Sequence, residues 1–212
     1  MYENGVKCSN AKVSETYEGW IDLFSWGTSG YNGQYPYMTP TYTNNNDISG
    51  TNYDWGVYNA ISNGGNQAGS WYTLTRTEWE YVLNTRTDAA DKKGSAKVNN
   101  VFGVVLLPDN WTLPSGMTFT SGYSRAAQNI YSAEEWAKME ANGAVFFPEG
   151  GKRSGTTVSY AGAGYGYYWS GTAYSNTVYN RAYSMGFYNS LGVYDDGERG
   201  TGMAVRLVKN AN

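Results

Sequence analysis

The sequence has no histidine and only one cysteine, Cys8, in 212 residues. A single thiol closes no internal disulfide, and without imidazole or a second thiolate the usual zinc sites are excluded. The same shortage removes Ser-His-Asp and Cys-His nucleophilic catalysis, because no imidazole is present to take the proton. Charge is also scarce: 16% of residues are charged, the net charge is −3 and the pI is near 5.0. That balance offers no basic footprint for a phosphate backbone, so nucleic acid is not expected as a partner. Met1 to Ser14 is polar with no apolar h-region, which implies neither a signal peptide nor a membrane span in this stretch.

What is abundant is aromatic surface. Hydrophobic residues make up 41% of the chain and aromatics 17%, including 21 tyrosines and 8 tryptophans. This supports a core and leaves a surplus of Tyr and Trp for surfaces. The length fits one generous domain. The expected organisation is a polar leader over residues 1–18 and a single domain over 19–212.

From Trp20 to Tyr58 the sequence is loop-like, with Trp20, Phe24, Trp26 and Trp55 expected to pin irregular backbone to the core. Thr75-Arg76-Thr77-Glu78 is a capping-box pattern leading into Trp79, Val82 and Leu83, and predicts a helix of about ten residues. Ser132-Ala133-Glu134-Glu135 opens a second short helix carrying Trp136 and Met139, with Gly143 placed for a left-handed cap. Between them Val101 to Leu107 is a continuous apolar run ended by Pro108, which predicts a strand buried on both faces. Ala144 to Phe147, also ended by a proline, predicts a second strand of the same kind. Two short helices among small antiparallel sheets give an α+β class.

The C-terminal segment 165–203 carries the functional signal. From Ala182 to Tyr188 the residues alternate, with Tyr183, Met185 and Phe187 assigned to the core and Ala182, Ser184, Gly186 and Tyr188 to the outside. Asn189 to Thr201 is a polar connection holding few large aliphatics, and Met203 to Val208 alternates again as a closing strand. A long, polar, Tyr-containing connection between two core strands is a candidate recognition loop. Tyrosine offers large contact area with few torsions to freeze, and Ser, Gly and Asn supply adaptable hydrogen bonds, as in antibody loops. The alternative is that most of these tyrosines are packing residues of a Tyr-rich sheet. Asp195, Asp196 and Glu198 form an acidic cluster with oxygen ligands for calcium, but it lacks an EF-hand ladder, so a solvated loop is the better reading and no metal is expected.

Thr73-Leu74-Thr75-Arg76-Thr77-Glu78-Trp79-Glu80-Tyr81 resembles the helix-opening motif of the formylglycine-generating-enzyme type of C-type-lectin-like fold, and Gly202 to Val208 resembles its closing strand. Together with Trp20 to Phe24, Asp54-Trp55-Gly56, Ala60 to Asn66, Leu106 to Asp109 and Tyr167 to Ser170, the chain from about Gly19 onward resembles a family of Bacteroidales and gut-phage proteins. That family includes variable proteins of diversity-generating retroelements, in which adenine-directed mutagenesis rewrites a C-terminal block while the fold stays fixed. The resemblance implies a ligand-contacting set at Tyr174, Asn176, Tyr179, Asn180, Ser184, Gly186, Tyr188, Asn189, Gly192, Tyr194, Asp195, Asp196, Gly197, Gly200 and Thr201. It implies fixed scaffold positions at Trp169, Phe187, Val193, Arg199, Gly202 and Arg206. Glu198 is not reachable from an asparagine codon by adenine changes alone, so it is a fixed position or a departure from the pattern.

The function implied is non-catalytic binding of a protein or glycan ligand on a cell surface, by a surface-exposed or virion-borne domain without a cofactor. The alternative is a structural or fixed-ligand carbohydrate-binding module, for example of a phage tail. An oxidase of the formylglycine-generating type is not expected, because that chemistry uses cysteine thiols in the C-terminal core and this chain has only Cys8.

Overall fold

Three polar side chains open the helices. The computed structural model describes residues 2–3, 6–7, 23–36, 46–155, 157–175 and 180–210, and it places Asp54, Thr75 and Ser132 in extended backbone immediately before a helix. Asp54 opens α1 (Trp55–Tyr58), a single turn inside the stretch read as loop. Thr75 opens α2 (Arg76–Glu80) and Ser132 opens α3 (Ala133–Ala141), each with a complete capping box. The Thr75 N–H donates to Glu78 Oε2 at 2.7 Å and the Ser132 N–H to Glu135 Oε2 at 2.8 Å, satisfying amides that a helix start leaves unpaired. α2 continues into a π-helical turn, Tyr81–Thr85, so the segment reaches its expected length by changing its hydrogen-bond period. Past α3, Gly143 adopts φ +90°. Its N–H donates to Glu140 O at 2.8 Å and that of Ala144 to Met139 O at 3.1 Å, the paired bonds of a Schellman cap.

The strands are short. β1 (Tyr2–Glu3) and β2 (Val6–Lys7) pair antiparallel. Next come β3 (Tyr72–Thr73), then β4 (Lys93–Val98), β5 (Val101–Leu106), β6 (Asn129–Tyr131) and β7 (Val145–Pro148). The last four form a sheet in the order β6-β4-β5-β7, antiparallel except for β4 with β6. Asn99 and Asn100, both at positive φ, make the two-residue turn between β4 and β5. β8 (Lys152–Ser154) and β9 (Thr157–Ser159) form a hairpin, and β10 (Gly166–Ala173), β11 (Arg181–Phe187) and β12 (Leu191–Glu198) form an antiparallel three-stranded sheet. β13 (Leu207–Val208) returns to pair with β3. The architecture is mixed α+β, mostly strands with few short helices.

β5 is buried from Phe102 to Leu106, as its apolar run predicts. β7 departs from expectation: it is the sheet's edge, and Val145 and Phe146 are only half-buried. Its Phe146 packs towards α3 with Trp136 and Met139, and its Phe147 packs with Trp79 of α2. The three-stranded sheet is covered on one face and, at its Ala173–Ala182 end, on the other. Trp79 and Leu83 cover Tyr168, Met185 and Phe187 on one, while Trp26, Ile48 and Met203 cover Trp169, Ala173 and Ala182 on the other. The closing segment is not the single strand expected. It bridges in turn to Arg153 through Gly202, Phe24 through Met203 and Tyr168 through Ala204 before β13 begins. The expected leader lies outside the described residues apart from β1 and β2, as does Cys8. Among the described residues no helix is long and apolar enough to cross a membrane.

Candidate ligand-contacting surface

The polar connection 189–201 read as a loop is mostly strand. The turn shrinks to residues 188–190, and β12 pairs back along β11 with Leu191 opposite Phe187 and Val193 opposite Met185. Leu191 and Val193 face the helix side and pack with Trp79, Met185 and Phe187. Alternation therefore puts two cross-strand rows on the other face: Tyr167, Gly186 and Gly192, and Trp169, Ser184 and Tyr194. The glycines leave room for rings. A Cβ at Gly186 would lie 3.4 Å from the Tyr194 ring and one at Gly192 3.7 Å from its hydroxyl.

Tyr188, in the turn, is the hub of a tyrosine cluster. Its ring centroid lies 4.8 Å from that of Tyr194, 5.8 Å from Tyr167 and 6.2 Å from Tyr165, the last two stacked. Tyr165 in turn meets Tyr160 at 4.9 Å. The positions are held by backbone and hydroxyl contacts. Tyr123 donates its hydroxyl to Tyr188 O at 3.0 Å, and Tyr194 donates to Ser190 O at 2.8 Å. Burial raises the Tyr123 pKa above its ordinary value.

Four of these rings line a cleft of about 470 Å³, together with Lys152 and Ser154 of β8, Glu198 and Thr201. Lys152 Nζ sits 5.8 Å from the Tyr160 centroid and 5.4 Å from that of Tyr167, and the Arg125 guanidinium lies 5.5 Å from Tyr165. Aromatic rings, one ammonium and one carboxylate thus line a concave site that is more polar than apolar.

The expected contact set divides. Tyr188, Gly192, Tyr194, Gly200 and Thr201 are half-buried, and Asn189 and Asp195 are exposed, all on or after the hairpin that carries the cluster. Ser184, Gly186 and Gly197, assigned to the outside, are buried. Ser184 is only 1% exposed, because Trp169 and Tyr194 flank it in the cross-strand row. Gly197 lies under Trp169, whose ring would stand 2.6 Å from a Cβ there. The register explains its position: Ala182 pairs with Gly197 and Ser184 with Tyr194, so β12 carries an extra residue at 195–196 and Gly197 turns to the tryptophan side. Tyr174 and Asn180 sit at the far end of the β10–β11 ladder from Tyr188, about 25 Å of strand away. Asn176 and Tyr179 lie outside the described residues, as does the side chain of Asp196. Tyr183, assigned to the core, is half-buried beneath the Arg76 guanidinium, which is 4.5 Å from its ring and donates to its hydroxyl at 3.0 Å.

The scaffold positions are packed or pinned. Trp169 is fully buried and donates its indole N–H to Phe24 O at 2.7 Å. Phe187 is fully buried, and Val193 packs beside it. Arg199 is 1% exposed, with its guanidinium 4.5 Å from the Trp26 ring and Nε donating to Arg181 O at 2.9 Å. Gly202 exchanges backbone bonds with Arg153, and a Cβ there would stand 2.9 Å from the Arg153 guanidinium. Arg206 is exposed and lies over Phe147.

Sequence reasoning missed the β8–β9 side of the cleft, Lys152, Ser154 and Tyr160, because nothing local links it to a strand pair some thirty residues on. A second cleft of about 550 Å³, lined by Phe24, Tyr35, Trp55, Tyr58, Val205 and Leu207, is mostly apolar. No group of three or more metal-ligating side chains assembles among the described residues. No protein-family model matches the chain, and no curated protein or solved structure is significantly similar to it.

Proposed function

We propose that this chain is a non-catalytic ligand-binding domain of the formylglycine-generating-enzyme type of C-type-lectin-like fold, a variable protein of a diversity-generating retroelement of the Bacteroidales and gut-phage family. Its contact surface is the tyrosine cluster around Tyr188, displayed at a cell or virion surface towards a protein or glycan ligand. The observation that carries the reading is segregation within one sheet. The helix-side row of β10, β11 and β12 is packed with Tyr168, Met185, Phe187, Leu191 and Val193, whereas the other side presents Tyr167, Tyr188 and Tyr194 over glycines. A rigid strand pair that holds large rings with little torsional freedom suits recognition. The absence of histidine, and of any cysteine besides Cys8, supports binding over turnover.

The test is to sequence the 3′ end of the gene across many cells of the source population. Substitutions are expected at the half-buried and exposed positions Tyr188, Asn189, Gly192, Tyr194, Asp195, Gly200 and Thr201, tracking adenines in a nearby template copy. Trp169, Ser184, Phe187, Gly197 and Arg199 are expected to stay fixed. A segment as invariant throughout as Thr75 to Leu83 overturns diversification and leaves a fixed-ligand or structural module.

A further inference from the structure

We infer that the tyrosine cleft takes a carboxylated sugar, a uronic or sialic acid residue, whose ring lies on tyrosine faces and whose carboxylate is held by Lys152. The inference rests on the binding role proposed above and names the ligand class. Its basis is the occupant already present. Boxes of tyrosine rings ordinarily seat cations, but here the seat between Tyr160 and Tyr167 is filled by the chain's own ammonium, with Nζ 5.8 Å and 5.4 Å from the two centroids. A cationic ligand group is therefore disfavoured, and an anionic one meets a charge already in place. Among the described residues no carboxylate stands within ion-pair distance of Lys152, whereas Arg76, Arg86 and Lys92 each have one.

Arg125 over Tyr165 adds a second cation on the same tyrosine group. The rest of the cleft suits a sugar more than a peptide. It is concave, about 470 Å³, and Ser154, Thr201 and Glu198 bring donors and acceptors beside aromatic faces. The C–H faces of a pyranose stack on such rings while its hydroxyls need both donors and acceptors. Glu198 lines the same cleft without pairing with Lys152, and accepts from ring hydroxyls. Lys152 lies outside the segment 165–203, so it forms a constant wall whatever residues the C-terminal strands carry.

The experiment measures binding of methyl β-D-glucuronide, methyl α-N-acetylneuraminide and methyl β-D-glucoside to the full chain by saturation-transfer NMR and calorimetry. One or both carboxylated glycosides are expected to bind at least tenfold tighter than the neutral one, and which of them does so identifies the acid. Lys152→Gln should remove that difference while the chain still unfolds in one cooperative transition, and Lys152→Arg should keep it. Equal affinity for acidic and neutral glycosides, no binding of any of the three, or an acid preference that survives Lys152→Gln overturns the inference. Failure here with substitutions still clustering around Tyr188 in the population leaves the binding role standing and removes only the ligand class.

Discussion

At the scale of single residues, two buried glycines of the same sheet make opposite demands. A methyl at Gly197 would stand 2.6 Å from the Trp169 ring and 3.0 Å from Ala182 O, so something must move. Gly197→Ala is expected to destabilise by about 1–3 kcal/mol, the usual cost of overpacking. At Gly186 the nearest atoms stand at 3.4 Å, an ordinary contact, and a strand glycine gains order from a Cβ. Gly186→Ala should be neutral or stabilising by up to about 1 kcal/mol in urea denaturation. Asp54 is the other residue with a distinct signature. It is fully buried, and its carboxylate accepts from Thr73 N at 2.7 Å, Thr73 Oγ1 at 2.9 Å, and Gly50 N and Gly56 N at 3.3 Å. Burial raises its pKa above 3.8, with those hydrogen bonds opposing the rise. A carboxyl with a raised folded pKa contributes stability in full below its unfolded pKa and loses it as pH rises through the folded one. Wild type should therefore gain melting temperature relative to Asp54→Asn as pH falls from neutral towards 4. A constant difference across that range would contradict the assignment.

At the scale of elements, the sequence was most legible where signals were local. Both capping boxes and the Gly143 cap lie within a few residues of the helix ends they set, and all three form as read. Thr75→Ala and Ser132→Ala should each cost about 1 kcal/mol, seen as a lower denaturation midpoint with an unchanged slope. For α3 the sign of the pH effect is opposite to that of Asp54. The hydrogen bonds from Ser132 hold the Glu135 carboxyl below its ordinary pKa, so its help to the helix is present above about 4.5 and fades as pH falls through the lower folded value. Less legible was β12. Its polar composition suggested a loop, yet Leu191 and Val193 two apart supply one apolar face of a strand, and that short alternation was the available signal. α1 escaped notice because one helical turn has no periodicity to detect. It depends instead on long-range bonds that Thr73 donates to Asp54.

At the scale of the whole molecule, the alternation of β11 marks its two faces but does not show that the second is partly covered. That face is covered at one end by Trp26 and Met203, remote in sequence, and carries the rings of Tyr167, Tyr188 and Tyr194 at the other. No local pattern in Ala182 to Tyr188 encodes Trp26 or Met203 as neighbours. The candidate site was accordingly half legible: Tyr188, Tyr194 and Thr201 lie in or beside the cleft, while Lys152 and Tyr160 come from another hairpin. Because Tyr188 is half-buried on the sheet and does not fill its core, Tyr188→Ala should cost about 1–3 kcal/mol, the order of its three ring–ring contacts. Trp169→Ala, at a fully buried position, should cost about 3–5 kcal/mol.

The most direct test of this division is a single-substitution library displayed on yeast, exposed to protease, with the surviving sequences counted. Tyr188, Asn189, Tyr194 and Thr201 should accept most residues, while Trp169, Ser184, Phe187, Gly197 and Arg199 should accept few. If Tyr188 and Tyr194 prove as intolerant as Trp169, the tyrosines are core and the recognition surface does not exist.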